Sequence, residues 1–413
     1  MTEPRVVIVG TGQGGLQTAA SLREAGFAGP VTLVGDEPDL PYQRPPLSKA
    51  YLLGKMAEEG LRLRSEAFYA RNAIDLLAGE RVAAIDRAAR RVRLANGKEL
   101  GFDHLVLATG ARNRPLPVRG ADLDGVLYLR TLAEARDLKA RIAGAREVVV
   151  VGAGFIGLEF AAVARQLGKE VHVVEATQRP MGRAVSAQMS WFFTERHMGW
   201  GAKLLLGAGV ARILGQGGRV VAVEATDGQR LPADLVVVGI GVLPNAELAA
   251  EAGLAVQDGI VVDANLLTAD PAISAIGDCA RYPSRFAGAP ARLESVQNAA
   301  DQGRCVAARI AGRPAAYDAV PWFWSDQGDL KLQIVGLTMG HDATALRGDP
   351  ASGRFSVFCF RGGRLVGIES VNRPADHMAG RRLLAGEPGL TPAQAADEGF
   401  DLKAHAACRT TAL

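Results

Sequence analysis

Two sets of glycines at matching spacing carry the first chemical signal in this chain. Gly10, Gly12 and Gly15 follow the run Val6-Val7-Ile8-Val9, and Gly152, Gly154 and Gly157 follow Val148-Val149-Val150-Val151. In a strand–GxGxxG–helix unit the first glycine makes a tight turn and the second lets backbone approach a pyrophosphate. The third permits close packing of helix on strand, and the helix N-terminus faces the anion. One such loop is a weak signal. Two, each in that setting, imply two dinucleotides held by one chain. The simplest pair is a bound flavin and a visiting nicotinamide, which points to flavin-dependent electron transfer. An acid follows the second strand of each unit, where it can hydrogen-bond an adenosine ribose: Asp36, of Asp36-Glu37, and Glu175. A carboxylate at Glu175 favours a free 2′-hydroxyl and repels a 2′-phosphate, which selects NADH over NADPH; Arg179 nearby is the opposing charge.

Cys279, Cys305, Cys359 and Cys408 lie far apart, with neither CxxC nor cluster-ligating spacing. Electrons leaving a flavin therefore do not pass through a dithiol of this chain. The 6 histidines are scattered without metal-ligand spacing, so no metal is expected. At 413 residues the chain has room for two or three domains with their own cores. Its 48% hydrophobic and 22% charged content is that of an ordinary soluble protein. A net charge of +3 is too small to suggest nucleic acid but leaves room for a basic face toward an acidic partner. No apolar run approaches the roughly 18 residues of a membrane span, and a strand begins directly after Met1-Thr2-Glu3-Pro4. A cytoplasmic protein without membrane contact is the expectation.

The elements that must position these residues are legible as two βαβ units, from Arg5 to about Val34 and from Val148 to Val174, an approximate internal duplication. The proline-rich stretch 40–49 cannot be helix interior. A buried strand at 105–108 precedes a linker at 112–120, and another at 235–238 precedes a boundary at Pro244-Asn245. From about Pro321 the pattern changes to short strands at 331–335, 354–360 and 364–370, with Arg361-Gly362-Gly363 as a hairpin turn. Thr391-Pro392 starts a final helix. The reading is an α/β fold of two Rossmann-like dinucleotide-binding domains plus a C-terminal α+β domain. Residues 1–112 and 244–320 are expected to bind the flavin nucleotide, 113–243 the nicotinamide nucleotide, and 321–413 to form the third domain.

Three further strings occur in order: Arg44-Pro45-Pro46-Leu47-Ser48-Lys49-Ala50-Tyr51-Leu52, Glu294-Ser295-Val296-Gln297-Asn298-Ala299 and Pro321-Trp322-Phe323-Trp324-Ser325-Asp326-Gln327. With them, essentially the whole chain resembles the ferredoxin reductases of bacterial oxygenase systems, two-dinucleotide flavoproteins related to glutathione reductase. The resemblance implies tightly bound, non-covalent FAD and NADH as substrate. It also implies single electrons passed to an acidic 2Fe–2S ferredoxin that serves a haem-thiolate monooxygenase or a ring-hydroxylating dioxygenase.

Residue by residue, the resemblance sets Gly14, with Gly10, Gly12 and Gly15, against the FAD pyrophosphate and Asp36 at its adenosine end. It sets Val82 at the adenine, Arg130 at a further FAD contact and Asp278 on the ribityl chain. Val296 begins a helix facing the pyrimidine end of the flavin. Lys49 approaches the hydride-accepting edge, and Glu159 stands beside Lys49 and the nicotinamide. A helix dipole and an ammonium there would stabilise the negative charge of reduced flavin. Trp324, with Trp322, either flanks the flavin edge or packs between domains. Arg64 and Arg304 match ferredoxin-docking positions, with Arg292 and Lys331 as further candidates. Rubredoxin or a small molecule as acceptor, and a non-catalytic NADH-sensing flavoprotein, stay open as alternatives.

Overall fold

The computed structural model of the chain describes residues 3–387 and 389–410. Two compact units emerge, one from Met1–Gln43, Glu58–Arg112 and Val242–Ala319, the other from Arg44–Ala57, Asn113–Gly241 and Val320–Leu413.

The first unit is built on a parallel sheet in the order Ile273–Ala275, His104–Leu107, Val6–Val9, Val31–Gly35, Ile74–Ala78. Val6–Val9 is buried along its whole length, which is why it reads as an unbroken valine–isoleucine run rather than an alternation. The chain then turns at Gly10, whose φ of +115° only glycine adopts without strain, and where a Cβ would sit 2.1 Å from the Ala108 carbonyl oxygen. A Cβ on Gly15 would lie 1.9 Å from the Gly10 oxygen, so the helix Gln13–Glu24 can start flush on the turn only with glycine there. That helix lies along Val296–Ile310. Their closest approach is again glycine-mediated: a Cβ on Gly303 would come 2.8 Å from the Gly14 carbonyl oxygen, which accepts the Thr18 hydroxyl at 2.9 Å. Val82–Asp86, Arg91–Leu94 and Glu99–Gly101 add an antiparallel meander.

The second unit repeats this plan. Its parallel sheet runs Lys203–Leu206, Glu170–Glu175, Glu147–Val151, Leu235–Val238, Val126–Tyr128, and its meander is Val210–Gln216, Arg219–Ala225, Arg230–Pro232. In each sheet the strand leading into the glycine loop is central. The duplication suggested by the loops therefore extends to sheet order.

The C-terminal part of this unit is an antiparallel sheet in the order Trp322–Gln327, Leu330–Gly336, Arg364–Val371, Arg354–Arg361, Ala343–Asp349, with the helix Pro374–Ala385 packed against it. Gly362 and Gly363, both at positive φ, turn the hairpin between Arg361 and Arg364. Thr391 caps Pro392–Ala396 with a capping box, yet this helix is not the final one. It stops at Asp397, which adopts extended backbone, and Leu402–Thr410 follows, with Asp401 accepting the Ala404 amide at 2.9 Å. Among the described residues no helix is long and apolar enough to cross a membrane.

Candidate functional site

Both glycine-loop helices start without a capping side chain, at Gly12 and Gly154. Their first-turn amides are left for another acceptor, and a pyrophosphate has the charge and the oxygens to serve. The space fits as well. Among the described residues a Cβ on Gly12 would meet nothing within 4 Å, and one on Gly154 only the Gly239 oxygen at 3.9 Å. These two glycines are therefore not required by protein packing, in contrast to their neighbours Gly15 and Gly157, where a Cβ would strike backbone.

At the second loop Glu175 ends its strand and is fixed from two sides. Its Oε2 accepts the Ala153 amide at 2.7 Å, and its Oε1 accepts the amide and hydroxyl of Thr177, each at 2.8 Å. Arg179 is committed elsewhere: its guanidinium donates to the carbonyls of Val185 (2.8 Å) and Gly182 (2.8 Å) and to Ser190 Oγ (2.7 Å). The loop is thus bordered by a carboxylate, and the nearby cation is spent on local structure. At the first loop Asp36 is exposed just past its strand, while Glu37 accepts the Tyr42 hydroxyl.

A buried ion pair lies in the second unit. The short 3-10 turn Pro45–Ser48 opens on its prolines, where their missing amides cost nothing, and delivers Ser48 and Lys49. Glu159 stands two residues past Gly157 on the helix Phe155–Gln166. Lys49 Nζ lies 2.9 Å from Glu159 Oε1; Ser48 Oγ donates to Oε2 at 2.6 Å and Ser325 Oγ to Oε1 at 2.7 Å. Asp326 Oδ2 is 3.4 Å from the same ammonium. Burial pushes the Glu159 carboxyl above its ordinary range, against the pull of Lys49 and the two hydroxyls. Such a pair fixes a cation and an anion where water screens them weakly, suited to steadying charge that develops on a bound ring.

The edge strand Trp322–Gln327 supplies this cluster by alternation. Phe323 meets Phe155 with ring centroids 4.5 Å apart, and Ser325 reaches Glu159 from the same face. Trp322 and Trp324 stack on the opposite face at 5.6 Å, with the Arg381 guanidinium 4.9 Å over Trp322. The fold brings Lys49 and Glu159 together and leaves Trp324 in contact with Trp322. Ser48, Ser325 and Asp326 were not singled out by sequence. Ser48 lies inside the proline-rich string and Ser325 and Asp326 inside the tryptophan string, but no periodicity in either marks them.

Elsewhere, Asp278 is half-buried after Gly277, whose amide donates to Gln302 Oε1 at 2.7 Å. Val296 is the first residue of its helix, and Ser295 caps the Asn298 amide at 3.0 Å. Val82 begins the first meander next to a bulge. Arg130 has its backbone held by Glu134 (2.8 Å) and by the Arg44 guanidinium (2.8 Å). Among the basic candidates, Arg64 is exposed with its guanidinium 5.3 Å over Phe68, and Lys331 is exposed. Arg304 is exposed but paired with Asp301 on the preceding turn. Arg292 is a correction to its docking candidacy. Its side chain is 9% exposed and tied to Glu294 at 2.6 Å and Asp258 at 3.4 Å, so its charge is neutralised internally.

Residues 4–303 match the family described as pyridine nucleotide-disulphide oxidoreductase, and residues 322–406 match the reductase C-terminal family. The chain is 54% identical to rhodocoxin reductase of Rhodococcus erythropolis over 398 residues, 96% of this chain and 93% of that one. Among solved structures it is similar to the ferredoxin reductase for the CYP199A2 system from Rhodopseudomonas palustris. That match has 53% identity and a TM-score of 0.96, covering 98% of this chain and 100% of the other. The covalent putidaredoxin reductase–putidaredoxin complex matches at 41% identity and TM-score 0.95, over 99% of each chain.

Proposed function

The chain belongs to the pyridine nucleotide-disulphide oxidoreductase family, and on that premise we propose that it is an FAD-containing, NADH-dependent ferredoxin reductase of an oxygenase system. The observation that carries this reading is the buried Lys49–Glu159 pair, rooted in the helix that opens at the second glycine loop. The named acceptors of the relatives, rhodocoxin and putidaredoxin, support a ferredoxin here, of 2Fe–2S type and acidic. The cysteine spacing removes a dithiol as an intermediate carrier. By the same reading residues 1–112 and 244–320 form the FAD-binding domain, 113–243 the NADH-binding domain and 321–413 the C-terminal α+β domain of a cytoplasmic protein.

In this reading the first loop, with Asp36, Val82, Arg130, Asp278 and Val296, holds FAD, while Gly152, Gly154, Gly157 and Glu175 hold NADH. When bound, the pair supplies hydride transfer followed by one-electron release. The chain's own work is positional and electrostatic. The glycine loops bring amides to the pyrophosphates, Glu175 takes a ribose hydroxyl, and Lys49 presents a cation held in place by Glu159 and Asp326. The test is cytochrome c reduction by NADH with and without a 2Fe–2S ferredoxin. Turnover that depends on ferredoxin supports the reading, and turnover indifferent to it refutes the acceptor.

Nucleotide choice is testable at one residue. Glu175→Gln keeps an oxygen for the Ala153 amide but removes the charge. The ratio of kcat/KM for NADH over NADPH is expected to fall by about tenfold or more as repulsion of the 2′-phosphate is lost. An unchanged ratio removes Glu175 from that role. For the partner, Arg64→Glu is expected to raise the KM for ferredoxin about tenfold at low salt, with the effect shrinking as salt rises. NADH oxidation with ferricyanide should be unaffected. Arg304→Glu should do less, because Asp301 already offsets that charge. Equal loss of both activities would contradict a docking role.

A further inference from the structure

A buried run of hydrogen bonds leads from the helix Ala187–Gly199 to Glu159. His197 Nε2 lies 2.8 Å from Gln327 Oε1, Gln327 Nε2 donates to Ser325 Oγ at 3.2 Å, and Ser325 Oγ donates to Glu159 Oε1 at 2.7 Å. His197, Gln327 and Ser325 are 1%, 0% and 0% exposed, so water does not compete for these groups.

Chemistry at the far end sets the direction of the run. An ionised carboxylate only accepts, so Ser325 gives it its single hydrogen and must take a donor from the Gln327 amide. The Gln327 carbonyl then faces His197, which must carry its proton on Nε2. Two observations agree. Among the described residues His197 Nδ1 has no hydrogen-bond partner, and burial lowers the imidazole to about 4, which keeps it neutral. The Gln327 amide also approaches Met181 Sδ at 3.6 Å, a weak acceptor that matches its NH2 end. The opposite amide orientation would claim the Ser325 hydrogen and take a donor away from Glu159.

We propose that His197 and Gln327 are positioning residues that act through Ser325 to hold the Glu159 carboxylate ionised and aimed at Lys49. Neither residue hydrogen-bonds Lys49 among the described residues, and each hands polarisation to the next in a medium where such chains reinforce themselves. The charged groups facing Glu159 are Lys49, directly, and Asp326, through Lys49; neutral His197 closes the other end. The proposal rests on reading Glu159 as part of the nicotinamide site, and its test separates the two.

The holoenzyme is titrated by infrared difference spectroscopy, following the protonated-carboxyl band assigned to Glu159 by its loss in Glu159→Gln. Ser325→Ala is expected to move the midpoint of that band about one pH unit upward. Gln327→Met should move it less, His197→Phe least, and His197→Gln, which restores a donor, should return it to the wild-type position. If His197→Phe does not fold, His197→Leu, which carries no donor and adds no bulk, takes its place. A midpoint unmoved in the Gln327 and His197 variants, even with a lowered thermal transition, overturns the proposal and leaves these residues as packing. A midpoint that moves as expected, while Glu159→Gln leaves flavin reduction by NADH at its wild-type rate, upholds the positioning role. In that case the assignment of Glu159 to the nicotinamide site is what fails.

Discussion

Lys49→Met is expected to slow flavin reduction by NADH about 10²-fold and to destabilise the protein in a pH-dependent way. The variant leaves Glu159 buried with two serine hydroxyls and, among the described residues, no other ion-pair partner. Breaking a buried pair from one side costs about 3–5 kcal/mol when the remaining charge cannot escape. Glu159 can escape by taking a proton. Its carboxyl is already raised by burial, so the folded state holds that proton to higher pH than the unfolded state does. Stability from such a group is present below the unfolded value and declines as pH climbs through the folded one. Removing Lys49 lifts the folded value further, so the deficit relative to wild type should be small near pH 4.5 and largest at about pH 8. Lys49→Met/Glu159→Gln should recover the stability without the rate. Thermal transitions across pH and stopped-flow reduction check both halves, and a pH-independent deficit would contradict the assigned cause.

The first glycine loop offers a paired test of comparable size. Gly15→Ala forces a Cβ to 1.9 Å from the Gly10 oxygen, and Gly10 cannot yield because its own turn is pinned at φ +115° against Ala108. That variant is expected to lose more than about 3 kcal/mol and to accumulate poorly. Gly12→Ala meets nothing within 4 Å among the described residues and has an extended backbone (φ −71°, ψ −169°) open to any residue. It should fold with an apoprotein thermal midpoint close to that of wild type, yet bind FAD at least about 10²-fold more weakly, because its methyl stands where backbone should approach the pyrophosphate. A yellow, fully loaded Gly12→Ala protein would move the flavin away from this loop.

These predictions draw unequally on sequence. The glycine loops were legible because their demands are local: a positive φ at Gly10 and Gly152, and a missing side chain at Gly15 and Gly157, leave a fixed spacing in the chain. The carboxylate at Glu175 was legible as the end of a periodic strand, but its bond to the Ala153 amide was not. Lys49 and Glu159 were joined only by family resemblance, since 110 positions separate them and no local pattern links a proline-rich turn to a helix. Ser325 and Gln327 stayed hidden because the strand Trp322–Gln327 mixes aromatic and polar side chains on both faces, so no hydrophobic alternation announced it. Thr391-Pro392 correctly marked a helix start, while its early stop and the next start at Asp401 lay in a polar stretch without apolar periodicity. The basic candidates show the same limit. Sequence gives the charges of Arg292 and Arg304 but not the partners, Glu294, Asp258 and Asp301, that neutralise them.

The measurement that bears most directly on the proposed function is a two-stage rapid-mixing experiment on the purified yellow protein. The protein is mixed anaerobically with NADH or NADPH, and the reduced protein is then mixed with an oxidised 2Fe–2S ferredoxin. The reading advanced here predicts fast bleaching of the flavin by NADH, much slower bleaching by NADPH, and fast return of colour as the ferredoxin is reduced. Fast bleaching by NADH with no electron passed to ferredoxin would contradict it and assign the reducing power to another acceptor.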